Sequence, residues 1–246
     1  MMHGEIDTGG SGGSGSSGDG GPCILAIDAS GDQASVALWR DHHLCAAIHH
    51  PARHGHAATL IPLAQEMMQD QNLGFDALTH VAGGRGPGSF TGIRVALSAA
   101  KGLCLATDAV PIGISILAAN AAMAAANDVN QGRHMVILAD TRRGPLYAQL
   151  FDPTGRPMDE IFEAEPDQII TQIKDDIGPL AIAGPNVNTL NIANRNGDVM
   201  MDNLPAPDAG QIAALAASQI AAGATASIEP LTPLYLAPAF LGPKRS

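Results

Sequence analysis

The sequence predicts a two-lobed α/β protein on three observations. An apolar strand ending in aspartate, ILAID over residues 24–28, is followed by the turn residues Ser30, Gly31 and Asp32 and a second strand, QASVALWR. The same order of strand, aspartate, turn and strand returns in MVILADTRRGPLYAQLF, where Asp28 falls on Asp140 and Trp39 on Phe151. Aromatic residues make up 3% of the 246 residues and hydrophobic residues 46%, with 28 glycines. The core is therefore built of small and aliphatic side chains that let helices and strands approach closely.

The elements follow in order. Residues 1–22, rich in glycine and serine, form a tail that cannot bury enough surface to order itself. After the first hairpin LCAAIHH reads as a third strand, and periodic apolar positions predict a helix near 56–68. THVAGG returns to strand, and the glycine-rich GRGPGSFTGIR opens a long helix of small residues through Ala106. VPIGI and ISILAANAAMAAAN form a strand and helix; PLAIAG is a later strand, with helices near 186–194 and 209–222 and a proline-rich end. The lobes are expected at 23–107 plus 223–246 and at 108–222, each opening with a hairpin whose aspartate faces a shared cleft.

A formal net charge of -11 repels phosphate backbones, so any RNA has to be held by a partner. Cys23, Cys45 and Cys104 are odd in number, lie in apolar runs and show no metal-ligand spacing, which suggests buried free thiols in a reducing compartment. No run approaches the roughly 20 apolar residues that span a bilayer, and no basic and apolar leader opens the chain. A cytoplasmic location without membrane attachment is expected.

The most informative stretch is residues 84–94, with four glycines around Pro87 ahead of an apolar helix. Glycine at 86 and 88 permits φ > 0 and close backbone approach, Ser89 or Thr91 can cap the helix, and the freed N–H groups suit an anion. Asp28, Gly86, Gly88, Ser89, Thr91, Gly92 and Asp140 are the candidate anion or nucleotide set. The same glycines also suit a turn that merely packs a helix start against a strand end. The segment lacks the GK[ST] ending of a phosphate loop.

No catalytic set or metal site is expected. His54 and His56 would point roughly 200° apart on a helix, and adjacent histidines at 42–43 and 49–50 would face opposite sides of a strand. Ser89 has no nucleophile elbow, and the cysteines have no basic neighbour.

GRGPGSFTGIRVALSAAKGL resembles the GPGSFTGLR hallmark of the TsaB (YeaZ) family. ILAIDAS resembles that family's strand ending in Asp-Thr-Ser, with Ala29 in place of Thr. RHGHAATLIP resembles its H-S-E-x-L-L-P helix opening through His56 and Pro62, with Ala57 and Ala58 departing from it. ADTRRGPLYAQLF is similar to D-A-R-R-G-E-V-Y through Asp140, Arg142, Arg143, Gly144 and Tyr147. PLYLAP resembles P-x-Y-L-R, with Ala237 in place of Arg. The resemblance implies a duplicated actin-like fold of the ribonuclease H-like superfamily. It also implies a non-catalytic subunit that pairs with TsaD and, with the ATPase TsaE, supports threonylcarbamoylation of adenosine beside the anticodon of tRNAs reading codons that begin with A. On that reading no cofactor is required, weak binding of ATP or ADP is left open, and tRNA is met only through the complex; the surplus apolar surface described below leaves open a homodimer of the free subunit. The alternative is an independent actin-like ATPase or kinase using Asp28, Asp140 and the glycine turn.

Two helices carry more apolar surface than one core face needs. Burial within the chain and a partner interface both account for this, and the interface is the expectation. His56, Leu60, Leu63, Ala64 and Met67 on the first helix, and Val95, Ala96, Ala99 and Leu103 on the second, are the candidate contacts.

Overall fold

Strand β1 (Ile24–Asp28) is buried at every position and apolar up to its terminal Asp28, because it runs in the middle of a sheet covered on both faces. In the computed structural model, Leu25 and Ile27 face one cluster and Ile24 and Ala26 the other, following the two-residue period of a strand. The structure describes residues 21–51, 56–141, 143–173, 176–184, 187–189, 197–201, 204–223 and 229–236.

The first sheet has the order β3-β2-β1-β4-β5, with β2 (Gln33–Arg40), β3 (His43–Pro51), β4 (His80–Gly84) and β5 (Val110–Ile114). The second has the order β8-β7-β6-β9-β10, with β6 (His134–Asp140), β7 (Leu146–Phe151), β8 (Phe162–Ala164), β9 (Leu180–Ala183) and β10 (Val199–Met201). In each, the first three strands pair antiparallel and the last two join parallel. Position by position the sheets are the same, which is the duplicated actin-like architecture that the repeated Asp-ended hairpins predict.

The hairpins differ by one residue. Asp28 pairs with Ser35 and Ile24 with Trp39, whereas Asp140 pairs with Leu146 and Val136 with Leu150. Trp39 therefore corresponds to Leu150 rather than Phe151, because the second turn is shorter. The strands β8 and β10, three residues each, carry too little pattern to be read from sequence.

Helices α1 (His56–Asp70) and α2 (Phe90–Thr107) cover one face of the first sheet and pack on each other. Helix α4 (Ala209–Ala221) covers the opposite face. Asp208 caps α4 in a capping box with Gln211, its Oδ2 meets His49 Nε2 on β3, and Ala209 N–H donates to Ser35 Oγ over 3.0 Å. Helix α3 (Ile116–Ala125) packs on β6 and on α4. The lobe limits are accordingly corrected: β5 belongs to the first sheet although it follows residue 107, and α4 covers that sheet although it precedes residue 223. Of the helix expected near 186–194, the described part is a 3-10 turn at Val187–Thr189, and the remainder lies outside the described residues. The tail up to residue 20, Arg142 and Ala237 also lie outside them. No helix among the described residues is long and apolar enough to cross a membrane.

The assignment of apolar positions to a partner surface is corrected as well. Leu60, Ala64, Met67, Ala96 and Leu103 belong to the lobe's own core cluster, with Met67 at 1% exposure. A helix wedged between a sheet and a neighbouring helix buries a wide arc, and that arc accounts for the surplus. Leu63, Val95 and Ala99 are half-buried. The side chains of His56, Ala57 and Ala58 lie outside the described residues. Cys23 is buried, whereas Cys45 and Cys104 are half-buried, and all three are free. Met67→Glu places an unpaired carboxyl in this core and is expected to destabilise the protein by roughly 3 kcal/mol or more. Gln65→Glu, on the exposed side of α1, should leave the urea midpoint unchanged, and equal midpoints for the two variants would return Met67 to the surface.

Candidate functional site

Asp28 ends β1 at 2% exposure. Its Oδ2 accepts from Ser30 N–H at 3.1 Å and from Ser30 Oγ at 2.9 Å. Oδ1 has no hydrogen-bond partner among the described residues and sits where a side chain on Gly84 would stand. Burial pushes the carboxyl up to about 6, against the hydrogen bonds from Ser30 and Ala29.

The glycine turn lies on top of this strand end. Ser89 N–H donates to Ser30 O at 2.7 Å, and Ser89 Oγ caps α2 by accepting from Gly92 N–H at 3.3 Å. A Cβ on Gly92 would collide with Ala29 O, and one on Gly88 with Ser30. Gly86 adopts φ 98°, in the left-handed region, and Thr91 is exposed in the first turn of α2. Of the two readings of this turn, close packing of a helix start on a strand end accounts for Gly88 and Gly92.

The arginines at the ends of the segment are both engaged. Arg85, 9% exposed, donates from Nε to Thr232 O and from Nη1 to Glu229 Oε2, each at 2.8 Å. Leu234 N–H returns to Arg85 O at 2.9 Å, and Gly113 N–H donates to Glu229 O at 2.7 Å. The stretch after α4 is thus strapped across β4 and β5, and its Leu231 is buried in the core. On α2, Arg94 lies 3.7 Å from the ring centroid of Phe90 and donates from Nε to Tyr235 Oη at 3.1 Å.

The structure brings Asp28, Gly86, Gly88, Ser89 and Gly92 into one cluster. Asp140 ends β6 in the other sheet, where it is exposed. A cleft of about 650 Å³ between the lobes is lined by Arg85, Ser115 and Glu229 on one side and Gln149, Phe151 and Asp159 on the other. Neither candidate aspartate lines this cleft: Asp28 is buried under the glycine turn, and Asp140 is exposed at the end of β6. Sequence reading missed Asp159. It accepts from Leu150 N–H at 2.9 Å, and burial raises its carboxyl above the usual range, with Glu160 adding to the rise. It also missed Ser30, Glu229 and Thr232, which hold Asp28 and Arg85; their only signal was proximity to turns. Among the described residues no three His, Cys, Asp or Glu side chains come together to hold a metal.

The family model described as TsaD: tRNA N6-adenosine threonylcarbamoyltransferase matches residues 50–226. The tRNA threonylcarbamoyladenosine biosynthesis protein TsaB of Escherichia coli K12 is 29% identical over 219 residues, covering 87% of this chain and 94% of that protein. The TsaB of Haemophilus influenzae is 32% identical over 165 residues, covering 62% of this chain and 68% of that protein. The chain belongs to the TsaB (YeaZ) family. A solved structure of YeaZ from Pseudomonas aeruginosa shares the fold with a TM-score of 0.73 at 24% identity, covering 87% of this chain and all of that one. The span matched by the family model runs from the end of β3 past α4 and so takes in β4 and β5 of the first sheet and the whole of the second.

The raised carboxyl of Asp28 gives a stability test. Its folded value, about 6, lies above the ordinary 3.8, so the fold favours the protonated form. That contribution is complete below the ordinary value and is lost as pH rises through about 6. Asp28→Asn, which keeps an acceptor for Ser30, removes it. The stability of the wild type relative to Asp28→Asn is expected to fall by on the order of 3 kcal/mol between about pH 4 and about pH 7. Parallel urea-unfolding profiles across that range would refute the assignment.

Proposed function

We propose that the chain acts in the biosynthesis of tRNA threonylcarbamoyladenosine as the non-catalytic subunit that pairs with a TsaD homologue, with TsaE as the ATPase of the assembly. The observation that carries this reading is the match to TsaB over nearly the full length of the Escherichia coli protein. The charge agrees with it: a chain at -11 leaves the tRNA to its partner. The modified base lies in tRNA, which places the work in the cytoplasm.

The partner docks on the helices that cover the first sheet, through the outward side of α1 and α2 and the half-buried Leu63, Val95 and Ala99 between them. No cofactor is needed by this subunit. ATP or ADP binds weakly, because the amide of Ser89 is already bonded to Ser30 O and Gly92 lies against Ala29. Asp28, Gly86, Gly88, Ser89 and Thr91 then act mainly by holding α2 in place.

Reconstitution tests this directly. The chain, the TsaD and TsaE homologues of the same cell, unmodified tRNA and an enzyme making threonylcarbamoyl-adenylate are combined, and modified nucleoside is measured. Modification is expected only when the chain is included, and the chain alone should hydrolyse ATP no faster than buffer. Full modification without it, or robust turnover of ATP by the isolated chain, would overturn the reading.

A further inference from the structure

The cleft of about 650 Å³ between the lobes has two unlike walls. One is the C-terminal strap: Glu229 and Leu234 line the cleft, and Glu229 neutralises Arg85, the single cation among the lining residues. The other is the segment after β7, which the backbone holds in place. There Met158 N–H donates to Leu150 O at 2.9 Å, and Gln149 Nε2 donates to Asp159 O at 2.8 Å. This wall is formed before anything binds to it.

Its surface is partly apolar and partly acidic. Met158 is 48% exposed and Ile161 is half-buried. Asp159 and Glu160 add two carboxylates, and no cation among the described residues pairs with either. Burial, with the charge of Glu160 adding to it, already holds the Asp159 carboxyl above its ordinary range, so a cation arriving there is favoured. A phosphate chain is repelled by the same groups. The occupant that fits therefore joins apolar side chains to positive charge.

The end of this chain has that composition. Residues 237–246 read APAFLGPKRS, with Phe240 and Leu241 ahead of Lys244 and Arg245 and no acidic residue, although the whole protein carries -11. They continue directly from the strap, whose Leu234 lines the cleft. Ten extended residues reach roughly 35 Å, which lets the segment turn back, and the tether gives it an effective concentration on the order of millimolar.

We propose that residues 237–246 occupy the interlobe cleft, Phe240 and Leu241 packing against Met158 and Ile161 while Lys244 and Arg245 meet Asp159 and Glu160. The segment then ties the second lobe to the strap of the first. The inference stands apart from the subunit reading.

Photochemical cross-linking in the full chain tests it, with Phe240 replaced by p-benzoylphenylalanine and the attachment mapped by mass spectrometry. Circular dichroism confirms that each protein is folded, and size-exclusion chromatography separates links within one chain from links between two. Attachment within one chain to residues 157–161 is expected. Its yield should fall roughly fivefold or more when Lys244→Glu and Arg245→Glu are combined, and recover when Glu160→Lys is added. Attachment elsewhere, attachment between two copies or none at all would overturn the proposal. So would a yield at residues 157–161 that ignores the charge reversals or is not restored by Glu160→Lys.

Discussion

The N–H of Ser89 meets Ser30 O at 2.7 Å, and the backbone of Gly92 lies against Ala29. That close approach fixes where α2 begins and at what height it crosses β1 and β4. A side chain at either Gly88 or Gly92 would lift the helix away from the sheet. Because the helix lies so close, the end of β1 is shut from water, and the Asp28 carboxyl is left with the hydrogen bonds of the adjoining turn, Ser30 foremost. The glycines and the displaced titration of Asp28 thus have one steric cause.

Arg85 and Arg94, nine positions apart in one segment, show how burial decides the role of a residue. A cation at 9% exposure has to be paired and hydrogen-bonded, and Arg85 satisfies this by drawing in Glu229 and Thr232. The strap so formed buries Leu231 and carries Tyr235 to the outer side of α2. There Arg94 is exposed, and its contacts are aromatic rings rather than a carboxylate. The outer face of α2 therefore depends on the ion pair between buried Arg85 and exposed Glu229 on the other side of the turn.

Much of the fold was legible because strand period and terminal aspartate repeat at both hairpins. The unread parts have physical causes. An ungapped comparison of the hairpins cannot see that the second turn is one residue shorter, and strands of three residues carry no periodicity. Asp28 and Asp140 are the same letter in the same topological place, yet one is sealed by a helix terminus and the other stands at an open strand end. The wide apolar arcs of α1 and α2 told that both are heavily covered without telling what covers them. Leu60 and Met67 meet this chain's own sheet and helix, whereas Phe90, Tyr235 and Leu105 remain outside.

The last helix of each lobe is exchanged. Helix α3 follows β5 of the first sheet, yet its Leu117, Ala121 and Ala124 join the cluster around Met135, Ile137 and Phe151 of the second. Helix α4 follows β10 of the second sheet, yet its Ile212, Ala213 and Ala216 join the cluster around Ile24 and Ala26 of the first. Each helix must therefore fit a sheet and also the other helix, which packs beside it. Small side chains permit both contacts at once, and this is the physical reason that alanine dominates α3 and α4 and that aromatic residues are scarce. The exchange also means that the lobes cannot part without exposing both clusters. What distinguishes the lobes is their remaining cover: α1 and α2 on the first, and, among the described residues, 3-10 turns carrying Ile169, Ile170 and Ile173 on the second. Among the described residues the first lobe thus carries two long helices on a face where the second carries short turns, and the duplicated fold covers its two sheets differently.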